Sequence, residues 1–255
     1  KNMKFKNKKS LGQNFLIDKN ILKKIAEIGN ISRNDNVLEI GPGTGNLTEH
    51  ILKTKPKLIT VVEKDTNLTN ILKNKFNNQV KIINNDVLKL SEDFYNEKFI
   101  VYGNLPYNIS TQILALWCLN KKIEFKKLIL MFQKEVADRI TAKPGSKNYG
   151  RLSILTNWLT HSSKLFDLPS EAFIPKPKVR STIIQLKPLS KPLYDVPFNS
   201  LEKLTHLAFS QKRKMLKSSL KKINGEKILK ELNISSNLRP ENLSVIEFCK
   251  IAKFL

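Results

Sequence analysis

The chain has 255 residues, of which 40% are hydrophobic, so it is long enough for one sizeable packed domain with a small appendage. Its formal net charge of +23 far exceeds the magnitude of about 2–8 that solubility alone requires, and it predicts a polyanionic partner, nucleic acid first. No apolar stretch approaches the ~18 residues of a membrane span, which argues against a membrane protein. An AT-rich genome would explain part of the lysine content but not the small number of acids.

The first predicted element is a helix that begins after Asp18 and ends at Gly29, with apolar residues at helical spacing. Short apolar runs then predict buried strands at residues 36–40, 57–62, 80–83, 99–103 and 127–132. Segments with helical periodicity, such as residues 67–76 and 110–119, separate these strands. The alternation predicts an α/β fold with a mostly parallel, doubly wound, Rossmann-like sheet.

A helix at residues 151–159 and two strands at 164–168 and 181–186 complete the predicted sheet, and we expect the two strands to pair antiparallel at its edge. The pattern is then interrupted within ten residues by Pro188, Pro192 and Pro197. Beyond them the chain shows only helical periodicity, with Lys and Arg on the polar side. We therefore expect a Rossmann-like domain at residues 1–187 and a small, basic, helical domain at residues 188–255.

A glycine-rich turn directly follows the first predicted strand, with Gly41, Gly43 and Gly45 at alternate positions. Doubly wound sheets bind ligands at the carboxyl ends of their strands. A dinucleotide pyrophosphate loop needs the spacing G-x-G-x-x-G, so the spacing here argues against NAD. S-adenosylmethionine, which has no phosphate but has a charged amino-acid portion, suits this turn better. An ordinary tight turn between a strand and a helix remains an alternative.

Carboxylates follow the next two predicted strands. Glu63 ends the second strand and can accept both ribose hydroxyls of an adenosine. Asp86 follows the third strand and can hold the amino group of an adenine. Each acid could also be a solvated loop residue when it is considered singly. Because three consecutive strand ends have suitable chemistry, the combination favours a site for S-adenosylmethionine.

The fourth predicted strand ends in Asn104, Leu105, Pro106 and Tyr107, a pattern suited to methyl transfer onto the N6 atom of adenine. The N6 lone pair is delocalised into the ring, so a catalyst must favour a pyramidal nitrogen. The Asn104 side-chain oxygen and the Leu105 carbonyl, held apart by the rigid Pro106, can each accept an N6 hydrogen. Tyr107 offers a face on which an extruded base can stack. The alternative is a turn that only closes the strand.

With these motifs the chain resembles the KsgA family of ribosomal RNA small-subunit adenine N6,N6-dimethyltransferases, over nearly its whole length. The resemblance rests on residues 12–16 (GQNFL), 104–110 (NLPYNIS), 133–139 (QKEVADR), 149–153 (YGRLS), 173–179 (FIPKPKV), 209–214 (FSQKRK) and 239–243 (RPENL). Departures are Gln112, where proline is usual, and Arg180, where an acid is frequent.

The resemblance implies the roles of individual residues. It implies contacts with S-adenosylmethionine for Asn14, Leu16, Gly41, Glu63, Asp86 and Asn104. It further implies that Asn104 and Leu105 present the target amine, and that Tyr107 and Phe173 sandwich the adenine. Two adjacent adenines near the 3′ end of the small-subunit rRNA would each receive two methyl groups. The implied partners are this rRNA and the small ribosomal subunit or its precursor.

A dense basic cluster at Lys212, Arg213 and Lys214 in the C-terminal segment could bind rRNA phosphates. A solvated helix face is the alternative, but the overall charge favours RNA contact. The three histidines have no metal-ligand spacing, and Cys118 and Cys249 are far apart in apolar contexts. We therefore expect no metal and a reducing, cytoplasmic location, and we expect a monomer.

Two other functions remain open from the sequence. An Erm-like methyltransferase of large-subunit rRNA would share the fold and the reacting loop, although Leu105 and the block at residues 149–153 argue against it. An RNA-binding ribosome assembly factor with secondary catalysis belongs to a different class, and assembly could coexist with catalysis. The order in which nucleotides are modified, and the choice between free rRNA and an assembled particle, are not determined by the sequence.

Overall fold

The chain divides into two compact units. The computed structural model describes residues 14–91, 94, 97–104, 124–210 and 214–255. The first unit comprises Lys1–Lys134 and Lys164–Lys187, and the second comprises Glu135–Ser163 and Pro188–Leu255. The chain passes from the first unit to the second after residue 187, where the sequence pattern predicted a boundary. Residues 135–163, however, group with the C-terminal residues and not with the sheet domain to which the sequence pattern assigned them.

The described residues form a large, mostly parallel sheet and a two-stranded ribbon. Their strands are β1 (Phe15–Leu16), β2 (Asn36–Ile40), β3 (Leu58–Glu63), β4 (Lys81–Asn84), β5 (Phe99–Asn104), β6 (Phe125–Gln133), β7 (Thr160–Leu168), β8 (Phe173–Ile174) and β9 (Ser181–Pro188). The large sheet has the order β4-β3-β2-β5-β6-β9-β7. The strands from β4 to β6 are parallel, and β9 is antiparallel to β6. The predicted α/β fold with an antiparallel edge is confirmed.

The register aligns the carboxyl ends of the central strands. Ile40, the last residue of β2, lies opposite Val62 in β3 and Gly103 in β5. Glu63, which ends β3, lies opposite Asn84 at the end of β4. Because parallel strands that are aligned in this way end together, the loops that follow them meet at one edge of the sheet.

The ribbon consists of β1 and β8, which pair antiparallel. Phe15 lies opposite Ile174, and Leu16 lies opposite Phe173. The sequence pattern did not predict these strands, because two residues are too few to show a periodicity. The ribbon brings the beginning of the described chain next to a segment more than 150 positions later.

Three helices of the first unit begin with well-defined caps or turns: α1 (Lys19–Ile28), α2 (Asn46–Lys53) and α3 (Thr66–Phe76). The Asp18 carboxylate accepts from the backbone N–H groups of Asn20 and Ile21 at 2.9 and 3.0 Å, as the predicted helix start requires. Asp65 caps α3 by accepting from the N–H of Asn67 at 2.9 Å. These caps satisfy backbone donors that a helix leaves unpaired at its first turn.

The other α-helices of the described residues are α4 (Lys134–Ile140), α5 (Arg151–Leu159), α6 (Phe198–Phe209), α7 (Leu216–Ser219), α8 (Gly225–Glu231) and α9 (Val245–Ala252). In the second unit α5, α6 and α9 pack against one another. Phe209 of α6 stacks on Phe248 of α9 with ring centroids 5.7 Å apart. The Trp158 indole of α5 donates to the Tyr194 carbonyl at 2.8 Å, which joins residues 135–163 to the C-terminal residues of this helical unit. No helix in the described ranges is both long and apolar enough to cross a membrane.

Tyr102 links the sheet to α1. Its buried hydroxyl donates to the Ala26 carbonyl at 2.9 Å. We expect Tyr102→Phe to lower the free energy of unfolding by about 1–3 kcal/mol, because the substitution leaves a buried carbonyl without this donor. Chemical denaturation measures the change. The matched control is Tyr149→Phe, since the buried Tyr149 hydroxyl has no hydrogen-bond partner among the described residues. Equal losses for the two variants would contradict the assigned hydrogen bond.

Candidate functional site

A cavity of about 280 Å³ lies at the carboxyl edge of the sheet in the first unit. Most of the predicted site residues within the described ranges line it, namely Asn14, Leu16, Gly41, Gly43, Glu63, Asp86, Asn104 and Phe173. The volume is close to the lower end of the range of roughly 300–1,000 Å³ for small-molecule sites. The structure therefore brings the side chains that follow β2, β3, β4 and β5 to one place, together with the β1–β8 ribbon.

The glycine turn between β2 and α2 has a left-handed backbone, with φ of 65°, 59° and 77° at Gly41, Gly43 and Gly45. A Cβ atom on Gly43 would lie 2.8 Å from the Phe15 ring. A Cβ atom on Gly45 would lie 2.5 Å from the Phe76 ring. Both the conformation and the close packing thus require glycine at these two positions. Gly45 packs against α3 and is not among the residues that line the cavity.

Glu63 lies at the end of β3 with its carboxylate directed towards the glycine turn. It accepts from the N–H of Gly43 at 3.3 Å and from the N–H of Asp65 at 2.9 Å. Burial raises the pKa of Glu63 above its usual value, while these backbone donors oppose the rise. The carboxylate is thus held in a fixed position beside the loop, where it could accept hydroxyl groups from a ligand.

Asp86 is the second predicted acid, and both of its oxygens are engaged. One oxygen accepts from the Leu88 N–H at 3.1 Å, and the other accepts from Lys64 Nζ at 2.9 Å. The Lys64 ammonium lowers the pKa of Asp86, so the carboxylate is anionic at neutral pH. Lys64 was not predicted as a site residue, although it directly follows Glu63 and lines the same cavity.

Glu39 is a third acid at the cavity, and the sequence reading assigned it no role. It is buried at the end of β2, and the Thr48 hydroxyl donates to it at 2.6 Å. Burial raises the pKa of Glu39 to about 7. The available signal was a single acid within a buried apolar strand, two residues before Gly41.

Asn104 ends β5, and its amide orientation is set by the ribbon. The Nδ2 atom donates to the Asn14 carbonyl at 3.2 Å. The Asn46 side chain in turn donates to the Leu16 carbonyl at 2.9 Å, which ties β1 to α2. Because Nδ2 is engaged by the Asn14 carbonyl, Oδ1 is the Asn104 atom that remains to accept a hydrogen bond from a ligand.

Several predicted residues have no described position. Leu105, Pro106 and Tyr107 lie outside the described residues, as do Lys212 and Arg213. Lys214 is described and exposed, and it belongs to the second unit. Within the described ranges, no group of three or more His, Cys, Asp or Glu side chains is arranged to hold a metal ion.

Comparisons with known proteins agree on one family. A family profile described as ribosomal RNA adenine dimethylase matches residues 4–255. The ribosomal RNA small subunit methyltransferase A of Pelagibacter ubique is 49% identical over 253 residues, which cover 97% of this chain and 96% of the relative. The protein of the same name from Bartonella tribocorum is 43% identical over 258 residues, which cover 97% and 92% of the two chains.

Solved structures with similar folds cover most of the chain. The dimethyladenosine transferase of Plasmodium falciparum superposes with a TM-score of 0.81 at 28% identity, over 93% of this chain and 95% of that one. The 23S rRNA methyltransferase ErmE superposes with a TM-score of 0.71 at 24% identity, over 94% and 99%. At that identity the second match shows a shared fold and nothing finer.

Glu39 should make stability depend on pH. Its raised pKa means that the folded state favours the protonated acid, so stability that is present below pH 4.5 is lost as the pH rises to about 7. Across this window the free energy of unfolding of Glu39→Gln should rise by about 3 kcal/mol relative to that of wild type. Each pH unit between the unfolded and folded pKa values of Glu39 contributes about 1.4 kcal/mol. Denaturation at a series of pH values measures the difference.

Thr48→Val provides the second variant for this test. The Thr48 hydroxyl lowers the pKa of Glu39, so its removal should move the pH window upwards. Identical pH profiles for wild type and Glu39→Gln would show that the buried carboxyl does not control the transition.

Proposed function

This chain belongs to the ribosomal RNA adenine dimethylase family, whose profile matches residues 4–255, and from this premise we propose the reaction and the role of each site residue. The protein transfers methyl groups from S-adenosylmethionine to the N6 atoms of two adjacent adenines near the 3′ end of the small-subunit rRNA. The products are N6,N6-dimethyladenosines. The observation that carries the proposal is the single cavity that joins the glycine turn, Glu63, Asn104 and Phe173.

The residues around the glycine turn fit the methyl donor. Gly43 has no side chain on the turn, and the Glu63 carboxylate lies 3.3 Å from the Gly43 N–H, in a position to accept ribose hydroxyls. Asp86 could accept a hydrogen bond from the amino group of the donor's adenine. Lys64 would then either move away from the carboxylate or contact the same oxygen together with the amino group. When bound, S-adenosylmethionine supplies a methyl group activated by the adjacent sulfonium. The site thus needs no phosphate-binding groups.

Asn104 would control the reacting amine of the RNA. Its Nδ2 atom is occupied by the Asn14 carbonyl, so Oδ1 is available to accept one N6 hydrogen. The Leu105 carbonyl would accept the other hydrogen, with Pro106 fixing the separation. Two acceptors stabilise the pyramidal nitrogen of the transition state more than the planar amine, which lowers the barrier. Phe173 and Tyr107 would hold the adenine ring between them.

A second methyl transfer needs only small changes at the same site. A monomethylated N6 still carries one hydrogen for an acceptor, and its methyl group can rotate away from the donor. The proton of N6 can leave after each transfer, so no strong base is required. The same residues would therefore produce both the monomethyl and the dimethyl product.

We propose the small ribosomal subunit or its precursor as the partner, a monomer as the active state and the cytoplasm as its location. The relatives at 43–49% identity are named for the small subunit, whereas the large-subunit enzyme shares only the fold at 24% identity. An Erm-like activity is therefore not favoured. A contribution to ribosome assembly is compatible with catalysis, because binding to a particle would serve both.

The test of the function uses a tritiated methyl donor with small subunits, large subunits and free rRNA, followed by mapping of dimethyladenosine. Label should enter small-subunit rRNA, with monomethyl and dimethyl products both present in time courses. Asn104→Ala should lower the rate about 100-fold or more, the usual effect of removing a transition-state acceptor, while affinity for the particle stays nearly unchanged. Asn104→Asp should also lose activity, because it places a second oxygen against the Asn14 carbonyl. Label in large subunits alone would contradict the assignment.

The basic cluster Lys212, Arg213 and Lys214 should affect binding and not chemistry. Replacing all three with Ala removes positive charge, so affinity for the particle should fall, and the slope of log affinity against log salt should decrease by roughly one or slightly less for each lost phosphate contact. Methyl transfer on particles that are already bound should persist. If affinity and its salt dependence were both unchanged, the cluster would be a solvated surface.

A further inference from the structure

One face of the β1–β8 ribbon carries an exposed apolar strip. Residues directly opposite each other in an antiparallel pair share a face, so Phe15 and Ile174 lie on one face while Leu16 and Phe173 lie on the other. Ile17 continues the face of Phe15, since it lies two positions later, and its N–H bonds to the Ala172 carbonyl at 2.8 Å.

The residues of the ribbon differ in exposure. Phe15, Leu16 and Phe173 line the cavity, and Leu16 and Phe173 are only 8% and 3% exposed. Ile17 and Ile174 are 42% and 57% exposed. Val179, which also lines the cavity, is 46% exposed. A single exposed isoleucine has no significance. Ile17 and Ile174, however, follow the cavity-lining residues Leu16 and Phe173 in the chain, and Val179 lines the same cavity. Exposed aliphatic residues grouped near one cavity in this way are typical of a binding surface.

Cations flank this patch. Lys178 and Arg180 are exposed on either side of Val179 in the chain. Among the described residues, no carboxylate forms an ion pair with either of them, whereas Lys176 is paired with Glu171. We name Ile17, Ile174 and Val179 with Lys178 and Arg180 the rim patch. It combines aliphatic surface with positive charge, which matches a nucleic-acid strand better than an apolar protein partner.

We propose that the rim patch binds the nucleotide adjacent to the target adenine in the substrate RNA. The inference rests on the proposed function. When the target adenine enters the cavity, its neighbour loses a stacking partner and exposes an apolar ring face. Ile17 and Ile174 cover that face, and Lys178 and Arg180 contact the neighbouring phosphates. The ribbon thus holds the target base at Phe173 and the adjacent base at Ile17 and Ile174.

Aliphatic residues suit this role because they contribute no directional hydrogen bonds. They bind any base through its ring face and leave the identity of that base unread. The contact therefore contributes affinity and orientation for a base adjacent to the target, including a second adenine that has already been methylated, since added methyl groups do not weaken apolar contact.

The test compares the double variant Ile17→Ser/Ile174→Ser with Leu58→Ser. Leu58 is also exposed, at 37%, but it begins β3, at the opposite edge of the sheet from the cavity. Methyl transfer is measured on small subunits reconstituted with ligated rRNA, which carries either an intact strand or an abasic residue on one side of the target adenine. For the double variant we expect the KM for intact RNA to rise about tenfold, with kcat and donor affinity by calorimetry little changed, the effect expected from losing apolar burial. Leu58→Ser should behave as wild type.

Combining the double variant with the abasic RNA shows whether the rim patch and the adjacent base contact each other. If the missing base is the one that the patch covers, wild type should show the same rise in KM on abasic RNA, and the double variant should show no further rise. An unchanged KM on intact RNA, or an equal penalty on abasic RNA for both flanking positions, would overturn the proposal. Failure of the proposed function is distinct, because wild-type protein would then transfer no methyl group to adenine in any of these RNAs.

Discussion

Hydrogen bonding in register between β2 and its two parallel neighbours fixes the positions of the groups around the cavity. Ile40, the last residue of β2, lies opposite Val62 and Gly103. The turn after β2 therefore begins beside Glu63 and Asn104, the last residues of β3 and β5. A shift of one residue would turn every buried side chain of a strand to the other face of the sheet. The buried cores of these strands therefore enforce the arrangement of the site.

The three acids at the cavity differ because their surroundings differ. Burial dominates at Glu39, and its only hydrogen-bond donor among the described contacts is the neutral Thr48 hydroxyl, which leaves its pKa near 7. Backbone N–H groups partly offset burial at Glu63. The Lys64 ammonium outweighs burial at Asp86 and keeps it anionic. The three acids therefore differ in their donors: a hydroxyl at Glu39, backbone N–H groups at Glu63, and both an N–H group and an ammonium at Asp86.

The sequence predicted what depends on local pattern. Buried strands and the glycine turn follow from apolar runs and from the need for left-handed backbone at Gly43 and Gly45. Contacts between distant segments were not predictable in this way. The ribbon joins Phe15 to Ile174 through two-residue strands, and residues 135–163 pack with the C-terminal residues through contacts such as that of the Trp158 indole with the Tyr194 carbonyl. Such pairings depend on tertiary packing, which periodicity does not encode.

The ribbon connects the donor side of the cavity to the side proposed for the RNA. Phe15 packs on Gly43 of the glycine turn, and its neighbour Leu16 lies opposite Phe173. The Asn14 carbonyl, at the start of the same segment, orients the Asn104 amide. Three consecutive residues thus contact Gly43, Phe173 and Asn104. Movement of this segment would therefore displace all three of these residues together. In the proposed reaction, precise placement of the methyl donor relative to N6 therefore depends on β1, which is held by the Asn46 side chain and by its pairing with β8.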